Sequence, residues 1–321
     1  MRNVVAGLMV GWMAVSGFAA DRDRDHDGVS DALEEALIER FQPHFLVDVR
    51  DCAELPAEFQ AFSKEPRVRD RNGAIYARVF PTERLGSDVW TLEVQYYHLW
   101  ERDCGRLNAH PLDVEHVSVL VVAATPHAGA SEWTARYWYA AAHEDTVCDT
   151  SNAARAEAID AVTRGPNVFI SAGKHASYLS TELCGQRGCG GDRCGEMVSL
   201  PPRPIINLGE AGVPMNGALW IASPDWPLSE KLGTDFDSAL VAELDTDTAT
   251  VLARANGHWR PAQFTISIGG DAIGALSTAG HHGGDGLAEA EDHTGSALGK
   301  GFRALGRALG HAARALGLGK Q

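Results

Sequence analysis

Hydrophobic and polar residues alternate along much of this chain with the period of a β-strand. The longest such pattern spans two apolar runs, residues 92–100 and 114–122, joined by a polar turn that ends in His110-Pro111-Leu112-Asp113-Val114-Glu115-His116. Shorter runs of strand character occupy residues 74–80, 133–142, 168–172, 217–223 and 264–268, and in the second of these Ala135, Tyr137, Tyr139 and Ala141 fall on one face. Helical character is limited to three stretches: Ala32, Leu33, Leu37, Ile38 and Phe41, then residues 153–162, then residues 235–244. Strand after strand with loops of irregular length predicts a mainly β fold, an antiparallel β-sandwich with short helices.

Period-two alternation places Asp113 and Glu115 on the same face as Val117, Val119 and Val121, which is the face expected to be buried. Two buried carboxylates need a raised pKa, a cationic partner or a metal ion. His110, held in an extended approach by Pro111, can converge on the same point, so His110, Asp113 and Glu115 form a candidate divalent-cation site. His143 and His175 each end a strand run and are weaker candidates for completing it. A further His would suit Zn²⁺ or Mn²⁺, whereas carboxylates and water would suit Ca²⁺ or Mg²⁺.

The N-terminus carries a second candidate. Residues 1–20 combine one basic residue, an apolar run and small residues near Ala19 and Ala20, the pattern of a secretory signal peptide. Directly after it, Asp23, Asp25, Asp27, Gly28, Val29, Asp31 and Glu34 match positions 1, 3, 5, 6, 7, 9 and 12 of a twelve-residue calcium loop. Carboxylates at alternate positions and the Val29 carbonyl would wrap Ca²⁺, with Gly28 permitting the turn and Glu34 binding bidentately. The loop runs into the amphipathic helical pattern without an entering helix, as half an EF-hand, within a unit of residues 21–41. A structural staple is the expected role.

Six cysteines, Cys52, Cys104, Cys148, Cys184, Cys189 and Cys194, suit three disulfides in an oxidising compartment. The last three crowd a Gly-rich loop at 184–194, where three thiols cannot all pair locally. Residues 42–268 form the expected sandwich domain. Composition then shifts to a Gly/Ala/His-rich linker at 269–294 and a tail at 295–321, where Lys300, Arg303, Arg307, Arg314 and Lys320 face no acid. A basic amphipathic helix there would dock on a membrane surface or a protein partner. The formal net charge of −15 argues against nucleic-acid binding.

Several segments carry a family resemblance. The His-x-x-Asp-x-Glu-His block before a Val-rich strand resembles the corresponding block of the vacuolar protein sorting sixty-two family, a β-rich family. Residues 37–45, 95–100 and 168–178 resemble that family's opening helix and strand, its aromatic strand and a later strand; Leu112 and Val114 stand where it has Gly and Trp. The same block is similar, more distantly, to the heptapeptide of the necrosis- and ethylene-inducing peptide-like cytolysins. In those proteins the matching His, Asp and Glu bind a divalent cation, which implies that role for His110, Asp113 and Glu115. The expectation is a secreted calcium-binding β-sandwich with a second divalent-cation site and a cell-surface or membrane-interacting role; the alternative is a metal-dependent hydrolase using His110, Asp113 and Glu115.

Overall fold

A computed structural model describes residues 22–262, except 54, 61–66, 84, 86–87, 106–108, 145, 147, 186–191, 211–212, 216–230, 247–250 and 256–257. The expected signal peptide, linker and basic tail, the runs at 217–223 and 264–268, and Cys189 lie outside the described residues.

The first element is helix α1 (Asp31–Arg40), capped by the Ser30 hydroxyl, which accepts from the Leu33 amide, and started by the acidic Asp31 and Glu34. Strands β1 (His44–Asp48), β2 (Glu58–Phe59), β3 (Val68–Asp70) and β4 (Ile75–Pro81) follow. The long apolar runs become β5 (Trp90–Arg102) and β6 (Pro111–Ala123), thirteen residues each. Next come β7 (Thr134–Ala140), β8 (Asn152–Arg155), β9 (Asn167–Ile170), β10 (Ser177–Tyr178), helix α2 (Thr181–Gly185), β11 (Met197–Ser199), β12 (Ile205–Asn207), β13 (Gly209–Glu210) and β14 (Val213–Pro214). Helix α3 (Ser238–Thr246), β15 (Val251–Ala255) and β16 (His258–Pro261) complete the described chain.

The eight-stranded sheet has the order β12-β4-β5-β6-β7-β8-β15-β16, and the four-stranded sheet the order β10-β9-β1-β11. Pairing is antiparallel apart from β12 with β4 and β1 with β9, which are parallel because each pair is joined by a long crossover rather than a hairpin. The main apolar core takes Leu37 and Phe41 from α1, Phe45 and Val47 from β1, Tyr96 and Trp100 from β5, Val117, Val119 and Val121 from β6, and Val168 and Ile170 from β9. The opposite face of the large sheet is covered by residues 231–246, where Phe236, Leu240 and Leu244 pack on Tyr137 and Tyr139.

Two sequence expectations need correction. Residues 153–162 form β8 followed by a 3-10 turn (Ala156–Ile159), not one helix. Their alanines favour helix locally, but Ala153 and Ala154 are fully buried between β7 and β15, where only small side chains fit. In β7, Ala135 lies in the main core while Tyr137 and Tyr139 face the other way. A bulge explains this: Leu120 pairs with Tyr137 but Val121 pairs with Ala135, so Arg136 is an extra residue that flips the alternation.

Disulfides join Cys52 to Cys104 and Cys184 to Cys194, and Cys148 is also disulfide-bonded. The first closes the larger loop, with a sequence separation of 52 residues. Replacing both Cys52 and Cys104 with serine is expected to lower the unfolding free energy by about 4 kcal/mol, from the entropy that the cross-link removes from the unfolded chain. Urea unfolding with the other bridges intact measures it; a loss below about 1 kcal/mol would contradict the expectation.

Candidate functional site

The register of the central hairpin opposes Trp100 to Asp113 and His98 to Glu115, so both carboxylates do share the face of Val117, Val119 and Val121. They sit at the polar end of the main core, and the protein supplies their partners. His175, fully buried just beyond β9, lies with Nδ1 2.8 Å from Asp113 Oδ2 and Nε2 3.1 Å from Asp51 Oδ1. Burial opposes charge on this ring, but Asp113 and Asp51 outweigh it and push its pKa up to about 9, so both nitrogens donate. Its imidazolium stacks on Trp100, with centroids 4.3 Å apart and planes 6° from parallel. Burial likewise opposes ionisation of Asp113, yet the bond to His175 holds it below the ordinary carboxylate range.

Trp100 in turn donates to His98 Nδ1 at 2.7 Å, which leaves His98 Nε2–H to donate to Ser177 Oγ at 2.8 Å. Burial drives His98 down to about 3 and keeps it neutral. Glu115 has the Lys231 ammonium 3.5 Å away; burial still pushes it up to about 7. His110 does not join this group. Leu112 has a left-handed φ of 54°, which breaks the extended approach, and the His110 side chain is half exposed, 3.7 Å from Asp103. His143 also stands apart, bonded at 2.7 Å to the buried Asp192 and held above its ordinary pKa by that carboxylate against the cost of burial. His110, Asp113 and Glu115 each face a different protein partner: Asp103, His175 and Lys231. Cys52 lies near Asp51 and His175, but its sulfur is in a disulfide and offers no thiolate.

The N-terminal loop behaves differently. Asp23 accepts from the His26 amide at 2.7 Å and the Gly28 amide at 3.1 Å, and Asp27 accepts from the Val29 amide at 2.7 Å, which folds the loop on itself. Gly28 takes φ +92°, open to glycine and costly for other residues. Oxygens of Asp23, Asp25 and Asp27 converge within 4.8 Å. Both carboxylate oxygens of Asp25, one of Asp27 and Oε1 of Glu34 are buried with no hydrogen-bond partner among the described residues. Glu34 is completely buried, and its other oxygen accepts from Asn207 Nδ2 at 2.9 Å, which ties α1 to β12 at the edge of the large sheet.

Burial, reinforced by neighbouring carboxylates, pushes Asp25 up to about 6, Asp27 to about 7 and Glu34 to about 9. Gly209 closes the loop from above: with φ +74°, a Cβ there would lie 2.4 Å from the Met215 amide and 3.0 Å from Asp25. Asp31 is engaged elsewhere, bonded to the Arg24 amide at 2.9 Å and guanidinium at 2.7 Å. Val29 buries its side chain in the main core. Hard oxygen donors buried without hydrogen-bond partners among the described residues fit Ca²⁺.

Sequence reasoning missed a third group, on the opposite face of β6. His116 Nε2 lies 3.0 Å from both oxygens of Asp235, and Glu144 Oε2 is 3.9 Å from His116 Nδ1. Asp235 also accepts from Ser118 and from Gln95. Gln95 further donates to Glu93, a fully buried acid that burial and Asp235 push up to about 8. A pocket of about 210 Å³ opens beside Glu144 and Asp235, with Lys231, Arg254 and Trp259 also in its wall. His116 was visible in the heptapeptide, but nothing local ties it to an aspartate 119 residues away.

No family model matches the chain, and no curated protein matches it significantly, so the likeness to the vacuolar sorting family rests on the quoted segments alone. Solved structures that are similar include a toxin fold for microbial attack and plant defense, at 17% identity and a TM-score of 0.33, covering 58% of this chain and 77% of that one. Another is NLPPya in complex with glucosamine, at 17% identity and 0.31, covering 58% and 76%. A third is the non-toxic HaNLP3 protein, at 18% identity and 0.31, covering 54% and 73%. A likeness at this level transfers no residue roles to the present chain.

Proposed function

We propose that the chain is an extracellular binding protein: a disulfide-tied β-sandwich stapled by one Ca²⁺ in its N-terminal loop, with a cell or membrane surface as its target. The carrying observation is the set of four buried carboxylate oxygens on Asp25, Asp27 and Glu34 that have no hydrogen-bond donor among the described residues. Leaving such groups unpaired costs on the order of 1–3 kcal/mol each, a cost that a calcium ion held by Asp23, Asp25 and Asp27 beside Glu34 would offset. Glu34 and Asp25 lie where α1 meets β12 and Gly209, so the ion would lock the N-terminal helix to the sheet edge. Disulfide bonding of Cys52, Cys104, Cys148, Cys184 and Cys194 supports an oxidising compartment. The basic segment at 295–321 supplies the charge for docking on an anionic surface.

Cosedimentation with vesicles rich in anionic lipid tests the surface role. In Ca²⁺, the full mature chain should pellet with vesicles, and a chain ending at residue 294 should remain in solution. Equal behaviour of the two chains would remove the tail from the account.

A further inference from the structure

The His116 group resembles the His175 group at first sight, since each places an imidazole between two carboxylates. They differ in one respect. Both nitrogens of His175 reach their acceptors, whereas His116 Nδ1 has no hydrogen-bond partner among the described residues although the residue is only 1% exposed. Glu144 Oε2 faces it at 3.9 Å, too long for a hydrogen bond. Two ligand bonds of about 2.1 Å span about 3.4 Å at the tetrahedral angle and about 4.2 Å when opposed, so the 3.9 Å gap admits an ion at a widened angle.

The surroundings suit a metal rather than a second trapped imidazolium. Asp235 lies at hydrogen-bond distance from His116 Nε2 and is itself fixed by Ser118 and Gln95, the carboxylate–histidine arrangement that orients a ligating imidazole and frees its other nitrogen. Glu144 is anchored through its other oxygen, which accepts the Tyr139 hydroxyl. The rings of Tyr97 and Tyr139 lie 5.6 and 5.7 Å from the imidazole and fix its tilt. Glu144 and Asp235 also line the pocket of about 210 Å³. Lys231 lines the same pocket and works against a cation, but its ammonium is drawn to Glu115, Glu144 and Asp113.

We propose that His116 Nδ1 and Glu144 Oε2 hold a first-row transition-metal ion of the Zn²⁺ class, with Asp235 positioning the imidazole. A nitrogen donor and so few oxygens exclude this place as a Ca²⁺ site, so it is separate from the N-terminal loop in both location and metal. With two protein ligands and solvent in the open positions, the ion is exchangeable and able to take a small ligand from the pocket.

Titration of the full mature chain with Zn²⁺ in saturating Ca²⁺ tests this. One equivalent should bind, and Glu34→Gln should leave it unchanged. Glu144→Gln keeps an acceptor for Tyr139 and should weaken binding at least about tenfold, as should His116→Gln. Co²⁺ in place of Zn²⁺ should give visible absorption that fades in the Glu144 variant. Should the His116 variant fail to fold, the Glu144 variant decides alone, with near-ultraviolet circular dichroism as its folding control. No uptake of Zn²⁺ by the wild type, or undiminished uptake in the Glu144 variant, overturns the proposal.

Discussion

Replacing His175 with glutamine is expected to lower the unfolding free energy by about 3–5 kcal/mol, because one change removes the cation from two buried carboxylates at once. The Asp51 and Asp113 side chains are 1% and 10% exposed, so water cannot take over the role. The same ring gives a pH signature. With its folded pKa raised to about 9, His175 contributes stability that is fully present below its unfolded pKa of about 6.5 and lost as pH rises through about 9. A shift of that size corresponds to on the order of 3 kcal/mol. Urea unfolding in saturating Ca²⁺ should therefore show wild-type stability falling between about pH 7 and pH 10, with a shallower fall in the His175 variant. Equal alkaline slopes would show that the Asp51–His175–Asp113 triad is not ionised as described.

Ca²⁺ should stabilise the wild type by about 3 kcal/mol at a concentration near 100 times its dissociation constant, and Glu34→Gln should abolish the gain. For a chain of this size that is a rise of about 5–11 °C in unfolding temperature. The variant has a second expected effect in the opposite direction. Glu34 has a folded pKa raised to about 9 by burial and by Asp25 and Asp27, so in Ca²⁺-free protein its ionisation costs stability progressively above the unfolded value of about 4.3. Glutamine removes that charge and keeps an acceptor for Asn207. At pH 8 without Ca²⁺ the variant should be more stable than the wild type, and with Ca²⁺ less stable. Parallel responses of the two proteins to a chelator would exclude Glu34 as a ligand.

The carboxylate cluster of residues 23–34 and the central hairpin were legible in the sequence because both are local. Carboxylate spacing from Asp23 to Glu34 is fixed within twelve residues, and alternation along β6 places Asp113 and Glu115 on the core face without knowledge of any other strand. What surrounds them was not legible. His175 reaches Asp113 from 62 residues away, and Lys231 reaches Glu115 from 116 residues away, distances over which no periodicity carries information. Even local reading failed where the backbone departs from its regular period: the left-handed Leu112 turns His110 outward, and the bulge at Arg136 reverses the face of Ala135. The alanines of 153–162 illustrate the third cause, tertiary packing that overrides intrinsic preference. Asp31 illustrates a fourth. Its spacing fits the loop pattern, but Arg24, one residue after Asp23, claims its carboxylate.

The most direct test is to count calcium. Isothermal titration of the metal-free mature chain with Ca²⁺ should give one equivalent bound, absent from a variant carrying both Asp25→Asn and Glu34→Gln. A wild type that takes up no Ca²⁺, or a double variant that binds it as well as the wild type, would contradict the reading of the N-terminal loop and with it the calcium-stapled fold.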